Sequence, residues 1–153
     1  MPIIASLATT QIMVGVVASS KKLLLEQITD QAAALTGISK RTLFDTVMRR
    51  ERLGSTGIGQ GIAIPHIVHA DLSQTIGLLA VLETPVDFDA PDRKPVDIVC
   101  LVIGPEHADS DHLKYVSAVA RSFNDTTICQ QLRAAPNADA ALQCLHQQNA
   151  DAA

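Results

Sequence analysis

Ile76-Gly-Leu-Leu-Ala-Val-Leu82 and Val96-Asp-Ile-Val-Cys-Leu-Val-Ile103 are two nearly continuous apolar runs in the middle of the chain. Glu-Thr-Pro follows the first run and Gly-Pro follows the second. Runs of this length and composition are typical of central strands that helices cover on both faces. The Asp- and Pro-rich segment between them predicts a turn or an edge hairpin.

The sequence on either side of these runs alternates a strand pattern with helical patterns. Residues 12–17 predict a further strand, and polar residues stand where helices would begin and end. The predicted caps at helix starts are Ser19 or Ser20, Ser39, Ser110, Asp125 and Asn137, and Gly37 is predicted to end a helix. Strands interleaved with helices predict an α/β fold, a three-layer sandwich with one central β-sheet and helices on both faces. The predicted organisation is a loose N-terminal segment at 1–11, a single domain at 12–146 and a frayed tail at 147–153.

Composition excludes several classes of protein. The chain has 153 residues, 47% of them hydrophobic and only 3% aromatic, which predicts one domain with an aliphatic core. A net charge of -4 is unsuited to nucleic-acid binding. The cysteines Cys100, Cys129 and Cys144 form no C-x-x-C pair, which indicates a reducing compartment. Since no apolar run approaches the length of a membrane span, we expect a cytoplasmic protein with no membrane insertion.

The segment Gly54-Ser-Thr-Gly-Ile-Gly-Gln-Gly-Ile-Ala-Ile-Pro-His66 interrupts every periodic pattern. Its glycine content predicts a loop, with neither a helix nor a regular strand. Glycine lets backbone N–H groups approach an anion closely. The expected phosphoryl-cradling residues are Ser55, Thr56, Gly57, Gly59 and Gly61. No Gly-Lys-Ser/Thr follows, so the segment is not a Walker A loop, and an extended apolar stretch replaces the helix of a dinucleotide fingerprint.

Three side chains are candidates for chemistry at this segment. His66 follows Pro65, and an imidazole with an ordinary pKa near 6.5 is largely neutral at pH 7 and able to act as a nucleophile; its alternative is a loop histidine without a task. His112 is predicted on the buried side of a helix, near an N-terminus that favours anions; its alternative is a structural histidine satisfied by a carbonyl. Arg50 is able to neutralise a phosphoryl group, or to be a solvated cation at a helix end.

Metal binding is a competing use of the histidines. His66 and His69 are close in sequence, as are His107 and His112, but neither pair comes with a Cys or Glu at a familiar zinc spacing. We therefore expect no metal, and we expect His69, His107 and His146 to be solvated.

The glycine-rich segment ending at His66 resembles the active-site signature of enzyme IIA domains of the phosphoenolpyruvate-dependent phosphotransferase system. Within the fructose and mannitol type, the resemblance is greatest to the nitrogen-regulatory branch. The resemblance continues through Leu82-Glu-Thr-Pro-Val-Asp-Phe-Asp-Ala-Pro-Asp, His112-Leu and the predicted helix at 117–123, and covers roughly residues 12–146. Ile67 and Val68 depart from the pattern, since the family often has glycine and then a basic residue after the active histidine.

The resemblance implies a mixed sheet flanked by helices and a phosphotransferase function without cofactor or metal. His66 would accept a phosphoryl group from a phosphohistidine on HPr or its nitrogen-branch relative, with His112 and Arg50 stabilising the group. Regulatory target proteins or an enzyme IIB would be the next partners. Two alternatives remain: a regulatory protein-binding module without obligatory phosphotransfer, and a protein with a histidine metal site.

Overall fold

The computed structural model describes residues 7–107 and 109–152. Its strands are β1 (Ile12–Val16), β2 (Gly57–Gly59), β3 (Ile62–Ala63), β4 (His66–His69), β5 (Ile76–Val86) and β6 (Val96–Pro105). Its helices are α1 (Lys21–Thr36), α2 (Lys40–Arg52), α3 (Asp109–Ser122), α4 (Thr126–Ala134) and α5 (Ala138–Ala152). A single turn of 3-10 helix, Thr9–Gln11, precedes β1.

The strands form one mixed sheet, as the resemblance implied. Its order is β1-β5-β6-β3-β2, and β4 pairs with β6 beyond β3. The two apolar runs are the central antiparallel pair β5 and β6, β1 is parallel to β5, and β3 and β4 are both parallel to β6. β3 and β4 therefore follow one another along the same edge of β6, with Ile64 and Pro65 between them.

Helices cover both faces of the sheet, which confirms the predicted three-layer sandwich. Alternate residues of β5 point to opposite sides: Leu78 and Ala80 join the core beneath α1 and α2, whereas Leu79 and Val81 join the core beneath α3, α4 and α5. Both cores are almost wholly aliphatic, and β5 and β6 are buried on both faces because each contributes to both cores.

Most predicted helix ends are confirmed by their hydrogen bonds. The hydroxyl oxygens of Ser20 and Ser39 accept backbone N–H groups of α1 and α2, at 3.2 and 3.5 Å. The carboxylate of Asp125 and the side-chain oxygen of Asn137 do the same for α4 and α5. Gly37 ends α1 in the left-handed region at φ 75°, where glycine has no steric penalty.

Several boundaries in the structure differ from the expected ones. Residues 7–11, expected to be loose, are packed, because Leu7 is buried and the Gln11 side chain donates to the carbonyl of Gly77. The tail at 147–153 was expected to fray, and α5 includes it as far as Ala152. Ser110 lies inside the first turn of α3, since that helix already begins at Asp109. Residues 1–6 and 153 lie outside the described residues.

The glycine-rich segment is also more regular than predicted. β2 and β3 form a small antiparallel hairpin whose turn uses positive φ angles at Gly59, Gln60 and Gly61. The hairpin is possible because β3 pairs with the edge of β6, which supplies the hydrogen bonds that an isolated glycine-rich strand would lack. Extended chain then continues from β3 to His66.

Candidate functional site

His66 opens β4 and is held by a hydrogen bond within its own segment. Its Nδ1 lies 2.8 Å from the carbonyl oxygen of Ile64. A carbonyl only accepts hydrogen bonds, so Nδ1 carries the proton and Nε2 of the neutral ring keeps its lone pair. The ring is partly exposed. The local structure therefore leaves Nε2 as the ring nitrogen of His66 that is able to act as a nucleophile.

His112 lies beside His66, although the two are far apart in sequence. Their ring centroids are 5.9 Å apart and the ring planes meet at 51°. His112 is only 6% exposed, in the first turns of α3, on the buried side where the helical spacing placed it. A β-carbon at Gly104 of β6 would meet the His112 imidazole. Gly104 thus leaves the room that this ring occupies, a role that the glycine signal at a strand end did not reveal.

Arg50 lies in the last turn of α2 and is partly buried. Its Nη1 donates to the carbonyl of Gly54 at 2.9 Å, and α2 packs against β4, the strand that begins with His66. One of the five guanidinium donors is used in this contact, which orients the charged group at the start of the glycine-rich segment.

The five predicted cradle residues divide into two groups. The backbone carbonyl of Thr56 accepts from the N–H of Ile64, two residues before His66, at 3.0 Å. Ser55 donates to the Phe88 carbonyl at 2.8 Å and accepts from the N–H of Gly57 at 3.1 Å, so both residues face the segment after β5.

Gly59 and Gly61 lie at the other end of the hairpin. A β-carbon at Gly61 would be 2.8 Å from the Arg133 guanidinium and 3.0 Å from the Asp97 carboxylate. Five positions of largely extended chain separate Gly61 from His66, or about 15 Å. The grouping of all five residues around one phosphoryl group is therefore not supported by their placement, because Gly61 lies beside Asp97 of β6 whereas His66 pairs with Val102, five residues further along the strand.

A buried polar cluster that sequence reasoning missed lies behind Thr56. The Glu51 carboxylate is ion-paired with Lys21 at 2.8 Å and also accepts the hydroxyl and the backbone N–H of Thr56. Glu51 stands in the basic run Arg49-Arg50-Glu51-Arg52 at the end of α2, yet its side chain is only 2% exposed. A single acidic residue within a basic run is the signal that could have drawn attention to it.

The remaining histidines are dispersed. His69 was expected to be solvated, but it ends β4 with its side chain 19% exposed, and its Nδ1 accepts from the backbone N–H of Asp71 at 3.1 Å. His107 and His146 are exposed, as predicted. Within 7–107 and 109–152 there is no group of three or more His, Cys, Asp or Glu side chains able to hold a metal ion. No helix in the same ranges is long and apolar enough to cross a membrane.

The class of protein follows from comparison of the whole chain with known families. Residues 6–148 match the model of the family described as phosphoenolpyruvate-dependent sugar phosphotransferase system, EIIA 2, and the chain belongs to this family. The resemblance carried by the His66 segment is thereby confirmed.

Within this family the chain is similar to nitrogen regulatory proteins. It is 41% identical to the nitrogen regulatory protein of Bradyrhizobium diazoefficiens over 92% of both chains. The crystal structure of nitrogen regulatory protein IIA-Ntr from Neisseria meningitidis superimposes with a TM-score of 0.86 at 35% identity, covering 94% of this chain and 99% of that one. Enzyme IIA of the mannitol system of Escherichia coli, in a complex with phosphorylated enzyme IIB, has the same fold, with a TM-score of 0.77 at 17% identity over 93% of this chain and 98% of that one.

Proposed function

We propose that this chain is a phosphocarrier that accepts a phosphoryl group on Nε2 of His66 from a phosphohistidine of an HPr-type protein. The observation that carries the proposal is the hydrogen bond from Nδ1 of His66 to the Ile64 carbonyl, since it leaves Nε2 as the nucleophilic nitrogen. Membership of the EIIA 2 family supports the direction of transfer.

The chemical step is a displacement at phosphorus between two imidazoles. The Nε2 lone pair of His66 forms the new N–P bond while the N–P bond of the donor breaks and its electron pair returns to the donor ring. As His66 is phosphorylated, positive charge develops on its ring, and the Nδ1–H bond to Ile64 becomes charge-assisted. Phosphoryl transfer depends mainly on positioning and on stabilisation of the charge on the outer oxygens.

His112 and Arg50 are the side chains that we assign to this stabilisation. His112 is close enough to His66 to hydrogen-bond a phosphoryl oxygen, and burial limits competition from water. The guanidinium of Arg50 supplies positive charge from the end of α2. Both assignments agree with the roles that the family resemblance implied.

The same site has features of a regulatory docking surface. Three large apolar side chains that are close in sequence to site residues are exposed: Leu53 at 83%, Leu113 at 60% and Val68 at 37%. Phosphorylation of His66 would add close to two negative charges, which would change the affinity of the surface around it for a partner. Regulatory target proteins, or an enzyme IIB as in the mannitol complex, are the partners that we propose to respond.

A phosphotransfer assay tests the proposal. With phosphorylated HPr-type donor, we expect acid-labile phosphorylation of the wild-type chain and none of His66→Ala. His69→Ala is the matched control, because it removes another histidine of β4 and should leave labelling unchanged. Equal labelling of His66→Ala and wild type would contradict the assignment. If phosphorylated and unphosphorylated chain retained the same partners, the regulatory part would be wrong.

A further inference from the structure

A buried ion pair joins the beginning of α1 to the end of α2. Lys21 Nζ and Glu51 Oε2 are 2.8 Å apart, and their side chains are 16% and 2% exposed. Each charge stands at the end of its helix that the helix dipole disfavours, a cation in the first turn and a carboxylate in the last. Desolvation adds a further penalty, so that stability alone is a weak reason for this pair. Such local conflicts are expected at functional positions.

The pair is tied to the glycine-rich segment through Thr56. The Thr56 hydroxyl donates to Oε1 of Glu51, and the Thr56 backbone N–H lies 3.3 Å from Oε2. Thr56 is 6% exposed. Lys21 also donates to the carbonyl of Phe88 at 3.3 Å and lies 4.4 Å above the centre of its ring. Every member of this group therefore has fixed partners on at least one other element.

Backbone hydrogen bonds connect Thr56 to the imidazole of His66. The Thr56 carbonyl accepts from the N–H of Ile64 at 3.0 Å, and the carbonyl of the same Ile64 accepts from Nδ1 of His66 at 2.8 Å. The carbonyl of Pro65, the next residue, accepts from Val102 of β6 at 2.9 Å. The backbone is thus fixed on both sides of the Ile64 carbonyl, by the Thr56 contact before it and by β6 after it.

We propose that Lys21, Glu51 and Thr56 form a positioning cluster that sets the direction of the Ile64 carbonyl and thereby the tautomer and orientation of the His66 ring. None of the three makes a hydrogen bond to the imidazole, so the cluster acts through the backbone of residue 64. Its effect on phosphotransfer rests on the proposed function, whereas its effect on the tautomer does not.

Thr56→Val is the most direct variant, since it removes the hydroxyl and keeps the shape of the side chain. The matched control is Thr29→Val, because Thr29 is wholly buried in α1 and its hydroxyl donates only to helix carbonyls, the nearer at 2.6 Å. Imidazole nitrogen-15 NMR of the unphosphorylated protein reports the tautomer of His66. We expect Thr56→Val to shift His66 away from the Nδ1–H form and Thr29→Val to leave it unchanged.

The kinetic readout separates positioning from docking. We expect the maximal rate of phosphorylation by the HPr-type donor to fall about tenfold in Thr56→Val, with the KM for the donor within about twofold of wild type. Thr56→Ser, which retains the hydroxyl, should restore both the rate and the tautomer. Glu51→Gln preserves shape but loses the ion pair, and it should change both readouts in the direction of Thr56→Val.

The outcomes distinguish this inference from the proposed function. A wild-type tautomer in folded Thr56→Val and Glu51→Gln would overturn the positioning cluster, whether or not His66 is phosphorylated. If the variants change the tautomer of His66 but the wild-type chain never accepts a phosphoryl group, the cluster would be supported and the phosphocarrier proposal overturned. Equal losses in Thr56→Val and Thr29→Val would show a general effect of buried hydroxyl removal and would also overturn the cluster.

Discussion

At the scale of single residues, the candidate site depends on how each imidazole is held. The hydrogen bond from His66 to Ile64 selects the nitrogen that keeps its lone pair. The position of His112 depends on a steric condition instead: Gly104 has no side chain, and the His112 ring occupies the room that a side chain would fill. A glycine at this position therefore controls how closely the second imidazole approaches the first.

A substitution at Gly104 tests this close approach. We expect Gly104→Ala to displace the His112 ring, since the new methyl group would overlap it, and to slow phosphorylation of His66 about tenfold or more while the chain remains folded. Phosphorylation kinetics and circular dichroism provide the measurement.

Gly77→Ala is the matched control for this prediction. Gly77 lies on the neighbouring strand, and a β-carbon there would be 3.0 Å from the Tyr115 hydroxyl, the flexible end of another α3 side chain. The variant adds the same methyl group beside the same helix with a smaller packing cost, and it should not move His112. A rate as low as that of Gly104→Ala would contradict the role of the His112 position.

At the scale of elements, the β2–β3 hairpin is secured along the segment that follows β5. The Ser55 hydroxyl donates to the carbonyl of Phe88, Gly57 is in close contact with Ala90, and the N–H of Gln60 donates to Asp92 at 2.9 Å. The backbone N–H groups of Gln60 and Lys94 lower the pKa of the Asp92 carboxyl. The hairpin and this segment therefore behave as one unit, which supports Thr56 from the outer side.

The contact between Gly57 and Ala90 gives a test of that unit. A β-carbon at Gly57 would be 2.8 Å from the β-carbon of Ala90, so Gly57→Ala should destabilise the fold by about 1–3 kcal/mol through overpacking. The double variant Gly57→Ala/Ala90→Gly moves the methyl group to the other side of the contact and should recover most of the loss. Urea unfolding measures both, and a double variant no more stable than Gly57→Ala would contradict the packing explanation.

At the scale of the whole molecule, the central sheet divides the interior into two cores that bury titratable groups. Burial raises the pKa of the Cys100 thiol on β6 to about 12. Burial, together with the nearby Cys100, raises the pKa of the Tyr115 hydroxyl on α3 to about 12. Both groups are uncharged when protonated, so the folded chain retains protons that the unfolded chain has lost in alkaline solution.

This difference predicts a loss of stability at high pH. The ordinary pKa values are 9.0 for cysteine and 10.0 for tyrosine, so the stabilisation is complete below about pH 9 and declines as the pH rises towards 12. We expect the free energy of unfolding to fall as the pH rises through this window. The Cys100 thiol should contribute up to about 1.4 kcal/mol of this fall per pH unit. Urea unfolding at successive pH values measures the slope. Cys100→Ala should give a shallower slope, and an identical slope would contradict the burial of that thiol.

Much of the local structure was determined by the sequence itself. Ser20, Ser39 and Asp125 mark helix ends because a side-chain oxygen there satisfies N–H groups of the first turn. The two apolar runs became the central strands because only a doubly covered strand buries such a run. His66 was identifiable because the segment before it is long and distinctive. These features depend on residues that are close together along the chain, and the sequence shows which residues those are.

The tertiary structure alone decided which distant residues meet. β4 pairs with β6, and this pairing brings His66 beside His112 and makes Gly104 important. The tertiary structure also buries Glu51, one charge in a basic run, as the partner of Lys21. It places Gly61 beside Asp97 and Arg133, at a distance from His66. Hydrogen bonds, ion pairs and steric contacts act over a few ångströms in space, and sequence separation carries no information on such distances until the strands have paired.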